Sequence, residues 1–331
     1  MLTVKKDPSR DFIILNLTDP QISNREWADE NNMNRQILIH TVNELMDRVK
    51  PDLVLVSGDI AYGKHFEAYE AFANFMDSFK TPWAPIWGNH DNQEGPEAIC
   101  LVVEGYLKHP YCLYESGDAS LGNGNYVIRI EENGKPVEAV LMMDSHDRAP
   151  FTNAKGETED VWAKLWPEQI TWYRNQITSL QQEGCNDSLL VTHIPIYAYR
   201  HAFKAAIRPD IDFLKTSDED YANGNAWNEG YKDSFGVRRE YISSYEADEG
   251  AFDAIKKLGS TKHIIAGHDH VNSFVIRHEG VRFIQGLKTG AGCYWNKELN
   301  GGTVLTVTKD GITDVRHEYV DASAYIVEEE Q

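Results

Sequence analysis

The sequence predicts an α/β fold with a partly parallel sheet. Short apolar runs alternate with amphipathic helical stretches up to residue 90. The later chain is richer in strand-like runs. The apolar runs end repeatedly in polar clusters containing Asp, Asn or His. Alternating strands and helices build α/β sheets, and ligands collect outside the carboxyl ends of their strands.

Residues 12–17 are an apolar run ending in Thr18-Asp19-Pro20. From Met33 to Val49, apolar residues at 38, 42, 45 and 49 repeat by four, three and four, which is helical. Pro51 stops that helix. Residues 53–57 form a short buried strand running into Gly58-Asp59. Phe66, Tyr69, Phe72, Met76 and Phe79 mark a second amphipathic helix. Residues 83–87 lead into Gly88-Asn89-His90-Asp91. Residues 126–130 and 137–143 are strand-like and joined by a Glu-Asn-Gly turn. Pro167 starts a helix whose Ile170, Tyr173, Ile177 and Leu180 share a face. Residues 188–192 form a strand ending at His193. A helix near 248–258 precedes a strand at 263–266 and then Gly267-His268-Asp269-His270. Further strand-like runs lie at 271–278, 281–285, 303–308 and 312–319.

Three stretches read as insertions, at about 109–124, 145–165 and 197–247. The last is long for a plain loop and is expected to be a lid or substrate-side cap. Its Tyr197, Tyr199, Phe203, Tyr221, Trp227 and Tyr231 either stack a base or pack the cap. Residues 122–126 lack the third glycine of a dinucleotide fingerprint and read as a turn. A single domain over 1–331 is expected.

Of the 331 residues, 41% are apolar and 25% charged, which argues against disorder, collagen and coiled coil. No apolar run reaches the ~18 residues a membrane span needs. No apolar stretch precedes the first strand-like run. A cytoplasmic protein is therefore expected, although a trimmed leader would leave no trace, so secretion stays open. There are 32 basic and 52 acidic residues, a net charge of −20. That field repels nucleic acid and anionic membranes, so neither is an expected partner. An anionic small substrate remains compatible, because a bound metal reverses the sign locally. Cys100, Cys112, Cys185 and Cys293 have no metal-site spacing and read as reduced packing thiols.

The chemistry sits at the strand ends. Asp19, Asp59, Asn89-His90, His193 and the pair His268 and His270 each follow an apolar run. Taken singly, an Asp after a strand is most often a helix cap, and Gly-Asp or Gly-Asn is a common turn. A lone His is usually surface or hydrogen-bonded core, which is how His40, His109, His278 and His317 read. His65, His146 and His201 are weaker candidates for lining a site. Taken together, carboxylate and amide oxygens mixed with imidazoles suit two first-row metal ions.

These motifs resemble those of the calcineurin-like metallophosphoesterases, over residues 12 to about 290. The matching pieces are Asp19-Pro20-Gln21, Gly58-Asp59, Gly88-Asn89-His90-Asp91, Thr192-His193 and Gly267-His268-Asp269-His270. Gln21 stands where the family usually has a ligand His. Yet Gly58-Asp59-Ile60-Ala61-Tyr62 is similar to the Gly-Asp-x-x-Tyr of the purple acid phosphatase branch, which also lacks that His. The other reading of Tyr62 is that it packs beside the site.

The resemblance implies two facing mixed β-sheets flanked by helices, a four-layer sandwich. It implies one metal held by Asp19, Asp59, His270 and Tyr62, and another by Asp59, Asn89, His193 and His268. Fe(III) is expected at the Asp19/Tyr62 position, with Fe, Zn or Mn at the other. A metal-bridging hydroxide would attack phosphorus in a small phosphorylated substrate. His90 would protonate the leaving alkoxide, and Asp91 would orient His90. The Gly290-Ala291-Gly292 turn also resembles a family feature. A phosphodiesterase acting on a cyclic nucleotide or phospholipid headgroup is the alternative activity. A catalytically degenerate scaffold of the same fold is a further one. Oligomeric state is not legible in the sequence.

Overall fold

A computed structural model describes residues 1–326. Its strands, in chain order, are β1 (Leu2–Lys6), β2 (Phe12–Leu17), β3 (Leu53–Ser57), β4 (Trp83–Ile86), β5 (Tyr126–Glu132), β6 (Lys135–Met142) and β7 (Arg148–Thr152). They continue with β8 (Thr158–Trp162), β9 (Ser188–Val191), β10 (Thr261–Ala266), β11 (Val275–His278), β12 (Val281–Gln285), β13 (Gly301–Thr308) and β14 (Gly311–Tyr319). A 7-stranded sheet has the order β1-β5-β6-β9-β10-β12-β11, and a 5-stranded sheet has the order β14-β13-β2-β3-β4. Both are mixed. In the smaller sheet β2, β3 and β4 run parallel and β13 is antiparallel to β2. In the larger, β6, β9, β10 and β12 run parallel.

Period-two alternation sorts the larger sheet onto two cores. Ile128, Val140, Met142, Leu189, Val191, Ile265 and Ile284 face the smaller sheet, in one cluster with Ile14, Leu53 and Leu55. Their neighbours Val127, Leu141, Leu190, Ile264 and Phe283 face the opposite way, toward the helices Pro167–Gln182, Ala198–Ala206 and Ala251–Leu258. The helices Met33–Val49 and Phe66–Ser78 cover the smaller sheet with Leu38, Val42, Leu45, Tyr69, Phe72 and Met76. The result is the expected order of helices, sheet, sheet and helices. Each fully buried Leu, Ile or Phe contributes roughly 1.5–3 kcal/mol.

Local chemistry sets the helix ends. Asn32 caps Met33–Val49 by accepting from the Arg35 N–H at 3.2 Å. That helix closes at Lys50, whose φ is 50°, just before Pro51.

Several expectations need correcting. Strand β1 and the helix Pro96–Tyr106 are present where no element was expected. The run 271–278 is a strand only over Val275–His278. Residue Asn272 is instead taken by the long insertion: its side chain accepts from the Arg239 and Glu240 N–H groups. The stretch 145–165 contains a hairpin, β7–β8. In 197–247, Tyr199, Phe203, Tyr221 and Trp227 are buried in the outer core of the larger sheet, so these aromatics pack the fold and are not free to stack a ligand. Cys185 is a buried thiol, but Cys100 and Cys293 are exposed and so are not packing thiols.

Candidate metal centre

Parallel neighbours deliver the two key carboxylates side by side. The ladder between β2 and β3 continues past both strands: Asp19 N–H bonds to Gly58 O at 3.0 Å, and Gln21 N–H to Asp59 O at 2.9 Å. Asp19 and Asp59 therefore leave adjacent strand ends in register. Both adopt positive φ, 54° and 52°, as do Gln21 at 43° and His268 at 74°. Such backbone costs roughly 1–3 kcal/mol per residue and collects at functional sites. In the larger sheet, Gly267 N–H bonds to His193 O at 3.0 Å and sets His193 beside the His268 loop.

Two glycines make room for this convergence. A Cβ on Gly88 would sit 2.1 Å from Asp59 Oδ1, and one on Gly267 would sit 2.0 Å from Thr18 Oγ1. Any side chain at either position would push a carboxylate or its hydroxyl partner out of place.

The donor atoms form two overlapping groups. Ligand atoms of Asp59, His193 and His268 lie within 4.8 Å of one another, and so do those of Asp19, Asp59 and His270. Asp59 belongs to both. His193 Nε2 is 3.3 Å from Asp59 Oδ2 and 3.1 Å from Asn89 Oδ1, and His270 Nε2 is 3.3 Å from Asp19 Oδ1. His193 Nδ1 donates to Ser57 O at 2.9 Å and His270 Nδ1 to Tyr294 O at 2.8 Å, which turns each Nε2 inward. Asp19 Oδ1 and His268 Nε2 are buried without a hydrogen-bond partner. One such unpaired buried atom lies in each donor group, which is what a cation in each would satisfy, so the residues present fit two metal ions.

The electrostatics agree with that fit. Burial alone would lower the His193 pKa, but the Asp59 and Asp19 carboxylates push it up to about 10. Burial and the neighbouring His193 charge bring His268 down to about 3. Asp19 resists burial and is held well below the usual carboxylate range by His193, His270 and Lys288. The carboxylates thus stay ionised and hold a proton on His193 that a divalent ion would displace.

Around this centre, His90 is half-buried at the rim. Its N–H donates to Asp59 Oδ1 at 2.8 Å, and its ring Nδ1 meets Gln93 Oε1 at 3.1 Å. Asp91 does not orient His90, contrary to expectation. Its oxygens accept from the N–H groups of Gly88, Ile60 and Ala61 and from the Tyr69 hydroxyl at 2.6 Å. Tyr62 packs edge-on against His90 at 5.2 Å. Burial, with Cys293, Glu26 and the two site carboxylates adding to it, raises its phenol pKa well above the ordinary value. Gln21 is fully buried, donating to Asp59 Oδ2 at 3.1 Å and accepting from Lys288 Nζ at 3.3 Å.

Sequence reasoning missed Lys288, whose ammonium also donates to Asp19 O at 2.7 Å. It missed Tyr294, stacked on His270 at 4.1 Å, and Trp162, edge-on to His268 at 4.4 Å. Nothing in their local pattern marks them, because their contacts come from segments distant in sequence. At the turn at 122–126, the Asn123 N–H donates to Asp144 and its side-chain amide donates to Asn92. His65 accepts from the Asn24 N–H beside Tyr62, His146 bonds to Gln169, and His201 lies against Tyr197. His40, His109, His278 and His317 make ordinary hydrogen bonds away from the centre. A Cβ on Gly292 would meet Gln21 O at 2.1 Å, so the 290–292 turn lies directly on the Gln21 loop.

Residues 13–272 match the sequence model of the family described as calcineurin-like phosphoesterase. The chain is 26% identical over 271 residues to probable inactive purple acid phosphatase 29 of Arabidopsis thaliana, covering 74% of this chain and 61% of that protein. It is 29% identical over 259 residues to probable inactive purple acid phosphatase 14 of the same plant, covering 70% and 57%. The match therefore spans about three fifths of each of these relatives. Among solved structures, a dimetal phosphatase from Danio rerio aligns with a TM-score of 0.51 at 13% identity, over 94% of this chain and 99% of that one. That likeness is one of fold.

Proposed function

The chain belongs to the calcineurin-like phosphoesterase family, and on that premise we propose that it hydrolyses small phosphate esters with two bound metal ions. The observation that carries this reading is the pair of buried donor groups sharing Asp59, with His90 at their rim. Asp19, Asp59, His270 and Tyr62 would hold one ion, and Asp59, Asn89, His193 and His268 the other. When bound, such ions supply Lewis acidity to phosphoryl and water oxygens.

The chain's own groups do the rest. Gln93 fixes His90 through Nδ1, and Nε2 has no protein partner among the described residues. His90 is therefore free to deliver a proton through Nε2 to a departing alkoxide, a contribution of ~10²–10⁴ in rate. Ser57 and Tyr294, through their backbone carbonyls, hold the ring orientation of His193 and His270. The two curated relatives carry the word inactive in their names, but this chain keeps His90 and the shared carboxylate. Tyr62 three residues past Asp59, with no ligand His at position 21, supports Fe(III) in the Asp19 position.

The test uses protein reconstituted with iron, zinc or manganese, assayed on 4-nitrophenyl phosphate as monoester and bis(4-nitrophenyl) phosphate as diester. Turnover of either, falling about 10²-fold or more in Asp59→Asn, is expected. Failure of the two-metal protein on both would overturn the enzymatic reading in favour of a binding scaffold.

A further inference from the structure

Hairpin β7–β8 stands beside the metal centre and carries an exposed arginine stacked on an aromatic ring. Arg148 is exposed, and its guanidinium lies 3.8 Å from the centre of the Trp162 ring. Trp162 in turn meets the ring of His268 edge-on at 4.4 Å. The guanidinium is thus separated from a metal-ligand imidazole by a single indole. Among the described residues Arg148 forms no salt bridge, although the charge of the neighbouring Asp147 acts on it, in a chain with 52 acidic and 32 basic residues. The preceding Asp147 is half-buried, and burial raises its pKa against the opposing charges of Arg148 and His90. Through Trp162, the base of the hairpin borders the His268 side of the centre.

The hairpin is anchored. Ala163 N–H bonds to Asp147 O at 3.1 Å. Ala149, Ala163 and Tyr245 form a buried cluster, and the Tyr245 hydroxyl donates to Pro150 O at 3.1 Å. Stacking on Trp162 restricts the Arg148 side chain at low entropic cost, through a cation–π contact. An arginine fork held in this way presents paired N–H donors suited to a phosphate or carboxylate.

Building on the phosphoesterase reading, we propose that Arg148 binds a second anionic group of the substrate, one beyond the phosphate seated at the metals. The substrate class is then a phosphate ester with a further phosphate or carboxylate several bonds away.

The test measures binding with probes that cannot be hydrolysed. Butylphosphonate, butane-1,4-bisphosphonate and 5-phosphonopentanoate are titrated calorimetrically into the metal-loaded protein and into Arg148→Gln. At least one two-anion probe should bind the wild type roughly tenfold or more tightly than butylphosphonate, the scale of a charge-assisted hydrogen bond. In Arg148→Gln that advantage should fall to within about twofold. The probe that loses more names the second group as phosphate or carboxylate. An advantage absent from the wild type, or undiminished in Arg148→Gln, overturns the assignment. Hydrolysis of 4-nitrophenyl phosphate by the same wild-type preparation is scored separately. Its absence alongside an Arg148-dependent binding advantage would defeat the hydrolase reading and leave the anion site standing.

Discussion

Asp59 presents its two oxygens to different neighbours. Oδ1 accepts from the His90 N–H, while Oδ2 faces His193 and Gln21. Asparagine at 59 would keep the shape and lose the charge that both donor groups share. Asp59→Asn should lose at least one metal equivalent by elemental analysis, and turnover should fall about 10²-fold or more, the scale of losing a key transition-state contact. His193 supplies a second test. Its pKa of about 10 in the metal-free protein means that the ring carries a proton at pH 7. A metal ion taking Nε2 must expel it, so apparent affinity should rise with pH, close to tenfold per unit below 10. Calorimetry in buffers of differing ionisation enthalpy should count about one proton released at pH 7, and none released would refute it. At Tyr62, a phenolate bound to Fe(III) absorbs visible light, so the iron form should be coloured and Tyr62→Phe colourless. A colourless wild type active with divalent metal alone would remove iron from the proposal and leave phosphoesterase chemistry in place.

Elements succeed or fail here by how they join strand ends. The segment Asn89–Asn92 is a single helical turn, and Asp91 sits inside it as a knot. It accepts from backbone on both the 59–61 and 88–90 loops, so one carboxylate holds two metal-bearing loops together. Asp91→Ala should destabilise the protein by roughly 3 kcal/mol, the scale of unpairing a buried hydrogen-bonded charge, read as a fall in urea midpoint. His90 should then lose its alignment with Asp59, so activity falls as well. A variant with unchanged stability would restore Asp91 to a purely catalytic part. The motif was legible in the sequence, but this role was not, because Gly-Asn-His-Asp spacing cannot say which way a carboxylate points. Long periodic elements were legible for the opposite reason: Leu38, Val42 and Leu45 must share a face if the helix exists at all. Strand β1 escaped notice because only Val4 and Lys6 of its five residues are buried, a weak alternation carrying two lysines. The 197–247 stretch read as a cap because its aromatics lack simple periodicity. They fill the outer core of the larger sheet from short helices and turns instead.

At the scale of the whole molecule, the two sheets are joined at the end far along β6 from the site by a buried acid. Glu138 lies on β6 of the larger sheet, and its Oε2 accepts from the Ile312 N–H of β14 in the smaller sheet at 3.0 Å. Oε1 is buried with no partner. Burial is the chief force on this carboxyl. The Ile312 N–H opposes it, Asp187 adds repulsion, and the pKa is pushed up from 4.5 to about 8. Between those two values the folded chain binds a proton that the unfolded chain has released. Stability from this group is therefore complete below pH 4.5, declines as pH rises, and is lost above about 8. A tenfold difference in proton affinity between the folded and unfolded chain is worth roughly 1.4 kcal/mol, and relaxation and water entry at the sheet edge reduce the total. Glutamine at 138 keeps the acceptor for Ile312 and cannot ionise. Glu138→Gln should therefore gain on the wild type by roughly 2–4 kcal/mol between pH 5 and pH 9 in urea unfolding. The comparison cancels every other titrating group, because both chains share them. A stability difference that stays constant across that range would mean that the carboxyl is ionised in the folded protein, and that water reaches the seam between the two sheets.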